Sequence, residues 1–97
     1  MVERDYQPKL KKRIEEMFPG CVIIKNDEQY LQGFPDLTVF FQDGRWAILE
    51  CKKSLNEPYR PNQKYYLDYM NRRGFARMIC PENMEEVLHD MEQTFHS

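Results

Sequence analysis

Ninety-seven residues bound the chain to one domain, residues 1–97, with a single core. A hydrophobic share of 41% with 13% aromatic residues excludes a disordered chain, and a net charge of −2 excludes a uniformly basic surface. No apolar run approaches bilayer length and the first residues are charged rather than signal-like, so a soluble cytoplasmic protein without membrane contact is expected.

The charges are unevenly placed. Lysine and arginine cluster at 9, 11, 12 and 13, at 52, 53, 60 and 64, and at 72, 73 and 77, while many acids follow Pro81. Such segregation allows a basic face under a negative total, although each cluster taken alone reads equally well as a solvated helix face. Cys21, Cys51 and Cys80 lie in apolar, strand-like segments without Cys-x-x-Cys spacing, which reads as reduced core thiols rather than a zinc site or disulfide frame.

In chain order, residues 3 to 17 carry Tyr6, Leu10, Ile14 and Met17 on one helical stripe, and Pro19-Gly20 stops the helix. Proline fits a first turn and disrupts later ones, so Pro8 predicts a helix beginning near Tyr6 or Gln7, with Glu3 in the approach to it. Cys21 to Lys25 is a short apolar strand. Glu28 to Phe34 has no clean period and reads as a loop, in which Gly33 implies a close backbone approach or an unusual dihedral.

Residues 33 to 53 are the centre of the sequence. Two β-prone runs flank a break containing Asp43-Gly44, a hairpin signal. Glu50 and Lys52, two residues apart, share a face of the second strand. The loop decides which face Asp36 joins. A two-residue loop places Asp36 opposite Cys51; the three-residue loop Gln42-Asp43-Gly44, with Gly44 at positive φ, places it opposite Glu50. Both occur in hairpins. The second gathers two carboxylates and a lysine on one face, where the acids repel unless a cation lies between them. Mg²⁺ suits one or two carboxylates, several waters and phosphate oxygens, and Lys52 would lie beside it. That set suits phosphodiester hydrolysis.

Ser54 to Pro61 is a polar loop, and Pro61 fits the first position of a helix over Asn62–Arg73. Gln63, Tyr66, Leu67 and Met70 form its inward stripe, with Gly74 as the stop. A glutamine on such a stripe needs partners. Phe75 to Cys80 is a strand, and Pro81 opens a last helix with Glu82 and Glu85 in its first turn and Met84, Val87, Leu88 and Met91 as its apolar face. His89 and His96 read as surface residues. The order α-β-β-β-α-β-α predicts an α/β fold: a mixed four-stranded sheet flanked by helices, antiparallel in its hairpin and parallel across the crossover helix.

Pro35-Asp36, a spacer and Glu50-Cys51-Lys52 resemble the signature of the PD-(D/E)xK nucleases. The wider order, Lys25-Asn26, Gly33-Phe-Pro-Asp-Leu37, Glu50-Cys-Lys52 and Gln63, is similar to the small VRR-NUC group, including its phage-encoded and Holliday-junction-resolvase-like members. The resemblance covers nearly the whole chain. It implies a restriction-endonuclease-like core and a Mg²⁺-dependent deoxyribonuclease, with Mn²⁺ as substitute. Asp36, Glu50 and the Cys51 backbone carbonyl would hold metal, Lys52 would be catalytic and Gln63 would support it. An acid on the first helix completes such sites. Glu3, four residues before Gln7, fits the family pattern better than Glu15 or Glu16. Lys25, Lys53, Arg60 and Lys64 are the candidate DNA phosphate contacts, each also readable as an ordinary surface charge. So small a core has little surface for reading base sequence, so selectivity for branched or flapped DNA and a homodimer are expected. Two other readings stay open: a catalytically silent binding module on this fold, and a structural α/β protein whose three charged residues form a surface ion-pair cluster.

Overall fold

The computed structural model describes residues 3–96, with side chains from Tyr6 onward. The elements are α1 (Glu3–Met17), β1 (Val22–Lys25), β2 (Leu37–Phe40), β3 (Trp46–Cys51), α2 (Gln63–Asn71), β4 (Phe75–Ile79) and α3 (Met84–Phe95). The strands lie side by side in chain order, β1-β2-β3-β4. Both pairings within β1-β2-β3 are antiparallel, and α2 carries the chain over to a β4 parallel to β3. This is the mixed α/β architecture that the sequence predicts.

Alternation along the strands sorts side chains onto two faces. Leu37, Val39, Ala47, Leu49, Cys51, Phe75 and Ile79 face α1 and α3 and meet Tyr6, Leu10, Ile14, Val87, Leu88 and Met91 in the larger core. Ile48 and Ala76 face α2, where Leu67 and the half-buried Phe34, Trp46, Met70 and Met78 complete a smaller one. All three cysteines are free thiols. Among the described residues no helix is long and apolar enough to cross a membrane.

The starts of α1, α2 and α3 differ from the expectation. α1 begins at Glu3, with Pro8 inside it. Proline there forfeits one bond to the carbonyl four residues earlier, and the helix is held across it by the joint burial of Tyr6, Leu10 and Ile14. α2 begins at Gln63 rather than with Pro61, because Asn62 adopts a left-handed conformation at φ 71°. α3 begins at Met84, with Pro81 in the preceding turn, because the Asn83 side chain holds the Cys80 N–H (2.7 Å) and the Met78 carbonyl (3.1 Å).

The hairpin loop is the three-residue one. Leu37 pairs with Leu49 and Phe40 with Trp46. Phe41 then donates its N–H to the Arg45 carbonyl at 2.9 Å, and Gly44 stands at φ 91°. Extending that register by one residue sets Asp36 opposite Glu50.

Candidate active site

At the carboxyl end of β3 the strand pattern carries charge where hydrocarbon would be expected. Cys51 turns to the larger core, and its neighbours Glu50 and Lys52 project to the α2 face. Asp36, Glu50, Lys52 and Gln63 are 6%, 2%, 3% and 3% exposed, so their charges and dipoles must be satisfied by one another or by a bound group.

Asp36 is held on both sides. The Asn26 N–H donates to its backbone carbonyl at 2.7 Å, and Asn26 Nδ2 donates to the Pro35 carbonyl and to Thr38 Oγ1, each at 2.9 Å. Its carboxylate Oδ2 accepts the Cys51 backbone N–H at 2.8 Å. Gln63 bridges the other two. Its Oε1 accepts from Lys52 Nζ and from the Arg60 N–H, both at 2.6 Å, and its Nε2 donates to Glu50 Oε2 at 3.0 Å. Lys52 Nζ also donates to the Pro58 carbonyl at 3.3 Å and lies 3.8 Å from Glu50 and 3.7 Å from Glu57.

Gly33 makes this arrangement reachable. It stands at φ 87°, and a Cβ there would lie 2.6 Å from both the Pro61 carbonyl and Asn62 Cβ. The loop after β1 therefore presses backbone against the start of α2, immediately before Gln63. The close approach and the unusual dihedral expected of Gly33 both occur.

Burial, with the adjacent Asp36 charge, raises the Glu50 carboxyl to about 8, partly opposed by Lys52. Glu50 Oε1 is buried and accepts no hydrogen bond from the described residues. A buried acceptor without a donor beside a second carboxylate fits a cation. Among the described residues no group of three or more His, Cys, Asp or Glu side chains is placed to hold a metal ion. Asp36 and Glu50, with the Cys51 carbonyl that the resemblance implies, are the groups that would hold such an ion. Mg²⁺, which keeps several waters, needs no more.

The cluster floors a cleft of about 570 Å³. Lys25 and Arg60 line it, and Arg60 reaches Glu28 at 4.0 Å. Lys53 and Lys64 are exposed outside its walls, Lys64 paired with Asp68 at 3.1 Å. Glu3 heads α1 one turn before Gln7, a cleft residue, but its side chain lies outside the described residues. The sequence marked Asn26 only through the Lys25-Asn26 pair of the resemblance, without its clamping role, and did not single out the acid Glu57 beside Lys52. An asparagine closing a strand and an acid in a proline-containing loop carry no periodic signal.

The site is thus an aspartate facing a Glu-x-Lys strand end, with a helix glutamine bridging the glutamate and the lysine, on a mixed α/β sheet. Solved structures with the same fold include one titled "VRR_NUC domain", with TM-score 0.73 and 22% identity, covering 90% of this chain and 94% of that one. Another, titled "VRR_NUC domain protein", has TM-score 0.68 and 16% identity, covering 99% of this chain and 89% of that one. The fold is thus of the VRR-NUC type that the sequence resembles. No protein-family model matches the chain, and no curated protein gives a match.

Proposed function

We propose that the protein is a metal-dependent DNA endonuclease, selective for branched or flapped DNA. One observation carries the reading: two opposed buried carboxylates, one with an unsatisfied oxygen, share a cleft floor with a buried, preoriented lysine. Asp36, Glu50 and the Cys51 carbonyl would hold Mg²⁺ or Mn²⁺. The ion would act as a Lewis acid on the phosphoryl group. Lys52, fixed by Gln63 and the Pro58 carbonyl, orients the attacking water and sets its charge against the anionic transition state. Attack breaks the bond from phosphorus to the 3′ oxygen, leaving 5′-phosphate and 3′-hydroxyl ends as the resemblance implies. Lys25 and Arg60 hold flanking phosphates.

A homodimer is part of this reading. The α2 face of β1 and β2 carries Val22, Ile24 and Phe40 at 56%, 46% and 43% exposure, and α2 packs over β3 and β4. A second copy covering that face would orient two sites on one branched substrate.

The test uses supercoiled plasmid and a synthetic four-way junction with Mg²⁺ or Mn²⁺, beside Lys52→Ala. Metal-dependent cutting is expected, falling about 100-fold or more in the variant. Both proteins inert but binding DNA would leave a silent binding module. Neither cutting nor binding would leave a structural ion-pair cluster.

A further inference from the structure

Beside the cleft lies a second cavity of about 390 Å³, lined by Asn26, Asp27, Tyr30, Leu31 and Phe34. It shares Asn26 and Asp27 with the cleft, so one short wall separates the two. Its other walls are apolar. Tyr30 is 91% exposed and Leu31 39%, and Phe34 is backed by the Tyr66 ring at 5.6 Å.

The loop that carries these side chains is braced internally. The Tyr30 N–H donates to the Asp27 carbonyl at 3.2 Å, the Gln29 N–H to Asp27 Oδ1 at 2.8 Å and the Phe34 N–H to the Leu31 carbonyl at 3.1 Å. The Tyr30 ring is thus held almost wholly in water on a preformed turn. The same ring is a ready platform for a flat ligand.

We infer that this cavity takes an unpaired nucleobase of the DNA strand whose phosphate lies in the neighbouring cleft, with Tyr30 as the stacking surface. The inference rests on the nuclease reading and narrows its substrate. In a duplex, the base faces are buried in the stack. A flap, bulge or junction leaves a base whose face can be offered to an aromatic ring. Lys25, in the cleft wall directly before Asn26, supplies the cation for the phosphate joining the two positions. Duplex DNA would engage the cleft alone. DNA with an unpaired nucleotide beside the scissile phosphate would engage both.

The test places 2-aminopurine as a single unpaired nucleotide beside the junction of a flapped oligonucleotide, and at a paired position in a control duplex. Binding to the 97-residue chain is followed by 2-aminopurine fluorescence and anisotropy in Ca²⁺, and cutting in Mg²⁺. Tyr30→Ala should abolish the fluorescence change at the unpaired base and weaken flap binding about 5- to 150-fold, leaving the paired duplex unchanged. Tyr30→Phe should restore both. Equal losses on flap and duplex, or no loss on either, would overturn the inference. A wild-type protein that cuts nothing but shows the Tyr30-dependent signal would sink the nuclease reading and keep the pocket. Cutting with no Tyr30 dependence would do the reverse.

Discussion

Gln63 lies between a cation and a carboxylate, and that fixes which way its amide faces. The oxygen must take Lys52 and the Arg60 N–H, and the nitrogen must give to Glu50. Gln63→Ala should cost about 1–3 kcal/mol by leaving buried partners unmatched, seen as a lower Tm, and should slow metal-dependent cutting by freeing Lys52. Glu50 has its own signature in pH. Its carboxyl is raised from 4.5 to about 8, so between those values the folded chain binds a proton that the unfolded chain has released. This contribution is complete below about pH 4.5 and is lost as pH rises through about 8. Unfolding in EDTA from pH 5 to 9 should show stability falling across that window, with Glu50→Gln flattening the slope. Mg²⁺ affinity, followed by calorimetry, should rise over the same range as the cation displaces the proton.

At the scale of elements, two glycines act differently. Gly44 sets the hairpin register from φ 91°, and nothing lies within 4 Å of a Cβ placed there. Gly44→Ala should therefore cost only left-handed backbone strain, about 1–2 kcal/mol, visible as a Tm lower by several degrees, with cutting retained. Gly33→Ala adds a clash with Pro61 and Asn62 to the same strain, and the residue it displaces precedes Gln63. It should lower both Tm and cutting rate, and the comparison of the two variants separates strain from displacement. The β3–α2 loop is the remaining positioning element, because the Pro58 carbonyl and the Arg60 N–H both belong to the network around Lys52.

On the scale of the whole molecule, the cleft is poorly charged for a polyanion. Among its described walls, Asp27, Glu28, Asp36, Glu50 and Glu57 face only Lys25, Lys52 and Arg60 as cations. DNA should therefore bind weakly in EDTA and at least tenfold more tightly with Ca²⁺ or Mg²⁺, read by anisotropy, as the cations offset the carboxylates. Binding equally tight with and without a divalent ion would place the DNA elsewhere. The exposed Val22, Ile24 and Phe40 face should be covered in solution. Sedimentation at high micromolar concentration should report a dimer, and Ile24→Lys should shift it toward monomer.

Local pattern was enough for most of the fold. The stripe Tyr6-Leu10-Ile14, the alternation of β2 and β3, and the glutamine heading the α2 stripe follow from periods of 3.6 and 2, and a resemblance could be read on the same residues. Element starts were less legible, because α1 and α3 depend on the burial of Tyr6 and the capping contacts of Asn83, neither of which is periodic. The sequence by itself determined that Glu50 and Lys52 share a face, since strand geometry does not depend on what surrounds it. Tertiary structure alone decided that Asp36 joins them. Two loops were compatible with the same residues, and the three-residue one is formed because it seats Leu37 and Val39 in the core beside Ala47 and Leu49 and turns Asp36 toward Glu50. Tertiary structure also decided that Gln63 bridges Glu50 and Lys52, through the backbone contact that Gly33 permits. Register and close approach are properties of pairs of segments, and no single stretch of chain contains them.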